Sequence, residues 1–358
     1  MKTPSRKADP NFVFLICSER SGSNLISQIL GGHSKIKAAA PYHFARDVIL
    51  NLHLSGGARS GPGWDLLREQ ILHMVGSLKS PAEVAALAAW LDANPDAPAA
   101  ELARFVYADL DPKPGATAIF IKENNLHRAL FFVLSCFPDA KFVFQVRDPR
   151  DYLASAKARR ERWLGNKFGS VRNALTVWRE DQLGGLALLG LLGPDRVFFQ
   201  RYEDLVSRPD AVLAPLCKFL GLRFEPAMLD FHTAKDTARL SQTSGARANL
   251  AKPLMALNFG KYRQSLSKGE IRIVETWLGD LMDRFGYARD FPKPAKSGGP
   301  SVFIPQITEI FERLGNGERM PFYSGGQKKF VARLRSITTP VATPYPPHRA
   351  DRVESEAQ

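Results

Sequence analysis

Arg20, Ser21, Gly22, Ser23 and Asn24 put one fixed cation among small and amide-bearing residues. An apolar run, Phe12 to Cys17, precedes them, and Leu25, Ile26, Ile29 and Leu30 follow at helical spacing until Gly31 and Gly32 stop the pattern. Strand, small-residue turn and helix is the arrangement in which backbone N–H groups at a helix N-terminus hold an anionic group. Arg20 would add positive charge to it. The stretch lacks the first glycine and the lysine of the G-x-x-x-x-G-K-[ST] loop of nucleotide triphosphatases. A glycine between two serines is also common in ordinary turns. Taken alone, a plain strand–helix connection and an anion site are equally good readings.

A second constellation decides between them. The β run Lys141 to Val146 ends at Arg147, and Ser155 stands eight residues after that arginine, two turns into the next helical stretch. Both can meet a phosphate lying above that helix. With the Arg20 turn they imply a ligand with two separate anionic ends. Lys122 closes another strand pattern, Ala118 to Ile121, and Tyr202 follows Val197 to Gln200.

Strands alternating with helices predict an α/β fold, a central parallel sheet flanked by helices. In such sheets ligands bind beyond the carboxyl ends of the strands, where Arg20, Lys122, Arg147 and Tyr202 all fall. Between the second and third strands, apolar stripes from Trp64 to Leu110, separated by Pro81, Pro95 and Pro98, predict a helical insertion over about 56–113. One domain is expected over 11–290. A C-terminal extension, 291–358, is dense in proline and glycine and is expected to be partly disordered, with one short docking helix patterned by Ile304, Ile307, Ile310, Phe311 and Leu314.

The chain has 358 residues, 44% of them hydrophobic, and a formal charge of +13. That charge calls for an anionic partner. Much of it lies between Lys141 and Arg172, interleaved with apolar residues, and no nucleic-acid-binding motif accompanies it. A local anion site with a basic rim fits better than specific nucleic-acid binding. The run Arg150-Asp151 reads as a surface pair, and Arg159, Arg160 and Arg162 as a solvated face. The three cysteines are scattered and no metal-ligand spacing appears, so no metal is expected. No apolar run approaches the ~20 residues that span a bilayer, and the polar start MKTPSRKADPN lacks a signal-peptide core. A cytoplasmic protein without a membrane span is the expectation, with peripheral membrane association left open.

The loop Arg20-Ser21-Gly22-Ser23-Asn24, the pair Arg147 and Ser155 within FPDAKFVFQVRDPRDYLAS, and Tyr202-Glu203-Asp204-Leu205, in that order, resemble the sulfotransferase family. Its members use 3′-phosphoadenosine 5′-phosphosulfate (PAPS) as co-substrate and release 3′-phosphoadenosine 5′-phosphate (PAP). The resemblance spans roughly residues 11 to 290 and implies a P-loop-like sulfotransferase fold. It implies that residues 20–24 cradle the 5′-phosphosulfate, that Arg147 and Ser155 bind the 3′-phosphate, and that Tyr202 lies near adenine. Arg20 and Lys122 are then expected to stabilise the sulfonate during transfer to an acceptor hydroxyl or amine. For the general base, cytosolic relatives place a histidine where this chain has Asn124, and others a glutamate where it has Pro41-Tyr42-His43. His43 is therefore the base candidate, read equally as a helix-start residue; Glu123 and His127 are lesser candidates. His33 is read as a turn residue. Lys261 and Arg263 stand near where cytosolic relatives use an Arg-Lys-Gly turn toward the 3′-phosphate. Among small-molecule, glycan and lipid acceptors, the Leu- and Ala-rich insertion favours one with an apolar part, such as a lipid or glycolipid, over a plain carbohydrate. The competing readings are a P-loop kinase-like phosphotransferase and a non-catalytic nucleotide or polyanion binder.

Overall fold

The computed structural model describes residues 10–55, 61–158, 170–242, 247–256 and 258–292. In chain order these form β1 (Asn11–Ile16), α1 (Ser23–Gly31), β2 (Ile36–Ala38), α2 (Phe44–Asp47), α3 (Gly61–Gly76), α4 (Pro81–Ala93), α5 (Ala99–Arg104), β3 (Ala118–Lys122) and α6 (Leu130–Cys136). There follow β4 (Lys141–Val146), α7 (Pro149–Lys157), α8 (Val171–Leu192), β5 (Val197–Arg201), α9 (Tyr202–Ser207), α10 (Pro209–Phe219), α11 (Lys235–Gln242), α12 (Tyr262–Ser265) and α13 (Lys268–Arg284).

The strands run parallel in the order β2-β3-β1-β4-β5. The alternation of the sequence predicts this, because a parallel sheet needs helical crossovers and is buried on both faces. In β1, Phe12, Phe14 and Ile16 face one core with Phe142 and Phe144. Val13 and Leu15 face the other, against Ile26, Ile29 and Leu30 of α1. Phe14, with none of its surface exposed, contributes about 1.5–3 kcal/mol by leaving water. From β1 the chain moves to β2 and β3 on one side and then crosses to β4 on the other. The sheet's switch point therefore lies at the carboxyl ends of β1 and β4, which opens a crevice there.

The helical block after β2 is helical as its periodicity predicts, ending in a wide turn at Phe105–Asp109. Ser80 and Glu83 start α4 with a capping box, and Ser267 and Glu270 do the same for α13. Gly184, Gly185 and Gly190 fall inside α8 without breaking it. Instead, a Cβ at Gly185 would come within 2.3 Å of the Phe144 ring, so the glycine lets the helix lie close on β4.

One expectation is overturned. Arg150 and Asp151 are buried, 3% and 2% exposed, rather than a surface pair. Arg150 binds Asp148 (2.7 Å) and Glu275 (2.8 Å). Asp151 instead accepts the Tyr262 N–H at 2.9 Å. Burial without full pairing would be too costly for either charge, so each has its own partners. Arg159, Arg160, Arg162 and the patterned segment Ile304 to Leu314 lie outside the described residues. Among the described residues no helix is long and apolar enough to cross a membrane.

Candidate active site

Among the described residues three non-glycines have left-handed backbone: Arg20 (φ 68°), His43 (φ 59°) and Asn125 (φ 56°). They follow β1, β2 and β3 respectively. Each such residue costs on the order of 1–3 kcal/mol, and such strain gathers at functional sites. Here all three fall at the edge where the fold opens its crevice.

The loop after β1 is held from several elements. Gln145 Nε2 of β4 donates to Ser21 O at 2.6 Å, and Gln182 Nε2 of α8 donates to Ser18 Oγ at 2.8 Å. Gly22 caps α1 at φ 83°, and a Cβ there would stand 2.4 Å from Tyr202 Cδ2. Glycine is required on both counts. Among the described residues no side chain caps α1, and its first turn carries no acid. Its leading N–H groups and positive end are therefore available to an anion.

A cavity of about 330 Å³ opens at this point, and Arg20, Ser23, Asn24, Arg147, Ser155 and Tyr202 line it. The two motifs, more than 120 residues apart in sequence, thus meet in one space. Arg20 Nε donates to Ser155 Oγ at 3.1 Å, and Arg147 Nη1 donates to Arg20 O at 2.8 Å. The Arg147 guanidinium lies 4.7 Å above the Tyr202 ring, a cation–π stack, and its carbonyl accepts from Trp178 Nε1 at 3.1 Å. Among the described residues Arg147 Nε and Ser21 Oγ are buried without a hydrogen-bond partner. Buried polar atoms are rarely left so, and both belong to the predicted anion motifs. Across the cavity, Asn258 Nδ2 donates to the Tyr202 hydroxyl at 2.8 Å, and Lys261 joins the lining. Arg263 does not line it; Arg263 pairs with Asp290 at 3.3 Å.

Lys122 and His43 are not among the residues lining this cavity. They belong to an adjoining polar cluster that reaches the loop through Glu19, whose Oε1 accepts from Asn124 Nδ2 at 2.6 Å. Lys122 is 6% exposed, and burial lowers its ammonium to about 8, with the Glu19 carboxylate opposing the shift. Burial pushes the neighbouring Glu123 carboxyl up to about 7. Its Oε1 accepts the Phe44 N–H (2.9 Å) and the Tyr107 hydroxyl (2.6 Å), while its Oε2 stands 4.0 Å from His43 Nδ1. His127 is engaged by Asp181 at 2.9 Å. His33 is a turn residue, with Nε2 on the Arg223 carbonyl at 2.8 Å and Nδ1 accepting the Lys35 N–H at 2.9 Å.

Sequence reasoning missed Gln145, Gln182, Asp151 and Asn258. A signal existed for Gln145, the one polar residue after the first position of the run KFVFQV; a buried amide there needs a partner, and the loop supplies it.

A family model described as "Sulfotransferase family" matches residues 10–226, more than half of the chain. The chain is 29% identical over 189 residues to Protein-tyrosine sulfotransferase 1 of Danio rerio, covering 52% of this chain and 52% of that protein. It is 28% identical over 175 residues to the omega-hydroxy-beta-dihydromenaquinone-9 sulfotransferase Stf3 of Mycobacterium tuberculosis, covering 46% of this chain and 40% of that protein. The matches thus span about half or less of these relatives' lengths. Among solved structures, the sulfotransferase domain of the Synechococcus PCC 7002 olefin synthase matches with a TM-score of 0.54 at 23% identity, covering 77% of this chain and 97% of that one. That likeness establishes the fold, the parallel sheet flanked by helices described above.

Proposed function

The chain belongs to the sulfotransferase family, and from that premise we propose that it moves a sulfonate group from PAPS to an acceptor hydroxyl, releasing PAP. The observation that carries this reading is the joining of the two anion motifs across one cavity by the Arg20–Ser155 hydrogen bond. The residues fit such a donor. The loop and the N-terminus of α1 offer N–H groups and the Arg20 charge to one anionic end. Arg147, whose Nε has no hydrogen-bond partner among the described residues, and Ser155 offer donors to the other. The Tyr202 ring, stacked under Arg147, supplies an aromatic face for a base. A kinase-like reading would need the lysine that the loop lacks.

Transfer of a sulfonate resembles phosphoryl transfer in needing positive groups where charge develops. Arg20 fills that role on the loop, and Lys122 is assigned to the same charge from the end of β3. The acceptor oxygen forms the new S–O bond as the bond to PAP breaks, and the hydroxyl proton goes to His43. The two relatives bear names that specify a tyrosine and an omega-hydroxy group; both are hydroxyls, which favours a hydroxyl over an amine here. The apolar insertion favours an acceptor with a lipid-like part.

The test is incubation with ³⁵S-labelled PAPS and a panel holding a tyrosine peptide, a long-chain alcohol and an alkyl glycoside. Label in at least one hydroxyl compound, with release of PAP, supports the reading. Transfer from γ-labelled ATP in place of PAPS would contradict it.

A further inference from the structure

Resting on the sulfotransferase reading, we propose that Glu123 is the positioning residue for His43: Oε2 receives a hydrogen bond from Nδ1–H, which leaves Nε2 as the bare nitrogen that takes the acceptor's proton. The geometry that points there is a carboxylate used on one side only. Oε1 is doubly engaged, by the Phe44 N–H and the Tyr107 hydroxyl. Oε2 is buried, accepts no hydrogen bond among the described residues, and stands 4.0 Å from His43 Nδ1. A small rotation of the imidazole closes that gap to hydrogen-bond length.

The backbone supports the same pairing. His43 is held at φ 59°, and the next residue's N–H is bound to the very carboxylate its ring faces. A strained residue tied at the following amide cannot drift far from Glu123. An acid 1% exposed costs stability that an apolar residue of similar size would not. Tying Phe44 and Tyr107 occupies one oxygen; the second needs another reason, and the imidazole supplies it.

Among the described residues, the charged and titratable groups acting on the carboxyl include Arg46 and Asp47 of α2, Lys122 of β3 and Tyr107 after α5. Desolvation dominates among them and raises Glu123 to about 7, with the Tyr107 hydrogen bond and Arg46 opposing and Asp47 adding to the rise. Near neutral pH the carboxyl is therefore poised to ionise, and an imidazole that gains a proton beside it completes an ion pair.

The experiment uses the full chain labelled with ¹⁵N-histidine, wild type and Glu123→Gln. The glutamine keeps Oε1 for Phe44 and Tyr107 but turns an amide donor toward Nδ1, which should force the opposite tautomer. At pH 7.5 the His43 resonances of the wild type should report Nδ1–H with bare Nε2, and those of Glu123→Gln should report Nε2–H. The wild type in the Nε2–H tautomer, or both proteins in one tautomer, overturns the proposal. Transfer from PAPS to 2-naphthol, a phenolic probe, should fall about 100-fold in Glu123→Gln, the size of a lost general base, while PAP affinity stays within twofold. Absence of transfer in the wild type would count against the sulfotransferase reading, whereas the tautomer result decides the role of Glu123 by itself.

Discussion

Arg20 Nε donates to Ser155 Oγ at 3.1 Å across 135 residues of sequence, joining the loop after β1 to the helix after β4. The cation proposed for one end of the donor is thus steadied by the hydroxyl proposed for the other. The ends should then act as a unit. In a double-mutant cycle of Arg20→Ala and Ser155→Ala, PAP binding by calorimetry should show a coupling of about 1 kcal/mol. Each single variant should weaken PAP about tenfold, a lost charge-assisted hydrogen bond. Additive losses within about 0.3 kcal/mol would mean the bond is incidental.

Tyr202 separates ring from hydroxyl. Its ring lies beneath Arg147 and against Gly22, while its hydroxyl accepts from Asn258. Tyr202→Phe should bind PAP within about threefold of wild type, and Tyr202→Ala should lose about tenfold or more, the scale of a lost stacking contact. Gly22→Ala combines positive φ with a clash on that ring. Urea unfolding should record a loss of about 1–3 kcal/mol.

Lys122 carries a cost that its proposed role in sulfonate transfer explains. Its ammonium is lowered to about 8 by burial, below the ordinary 10.5. Between those values the unfolded chain binds more protons than the folded one, so wild-type stability should rise as pH climbs from about 8 to 10.5. At pH 7 the folded protein holds a buried charge. Lys122→Met should therefore be more stable by about 1–3 kcal/mol at pH 7 and lose sulfonate transfer. Its stability advantage should shrink above pH 8. Urea titrations at pH 7 and 10 check this, and an equal gap at both pH values would contradict it.

Arg150 is structural. It touches Asp148, Glu275 and the Tyr262 ring, the last at 4.4 Å. Arg150→Ala leaves buried carboxylates uncompensated and should destabilise the fold by about 3–5 kcal/mol. The folded fraction should still bind PAP within about threefold, measured calorimetrically below the unfolding transition.

The elements were legible because their signals are local. Phe12 to Cys17 is apolar on both faces, and Lys141 to Val146 is so apart from Lys141 and Gln145, as suits a parallel strand. Arg147 and Ser155 reach one cavity because helix geometry fixes where two turns lead. What sequence could not yield depends on distant partners. The run Arg150-Asp151 reads as surface until Glu275, 125 residues later, arrives against Arg150. The exposure of Lys122 and Glu123 depends on how α2 and the segment after α5 cover the end of β3. Nothing in KENN announces that Phe44 and Tyr107 will claim one carboxylate oxygen and leave the other toward His43.

The central claim is a cradle built for two separate anionic ends and not for a triphosphate. Thermal unfolding of the full chain with PAP, ATP and a short oligonucleotide at equal concentration addresses it most directly. Ligand at 100 times its Kd adds about 2.7 kcal/mol, so PAP should raise Tm by several degrees and the other two by much less. ATP or the oligonucleotide raising Tm as much as PAP would contradict the account.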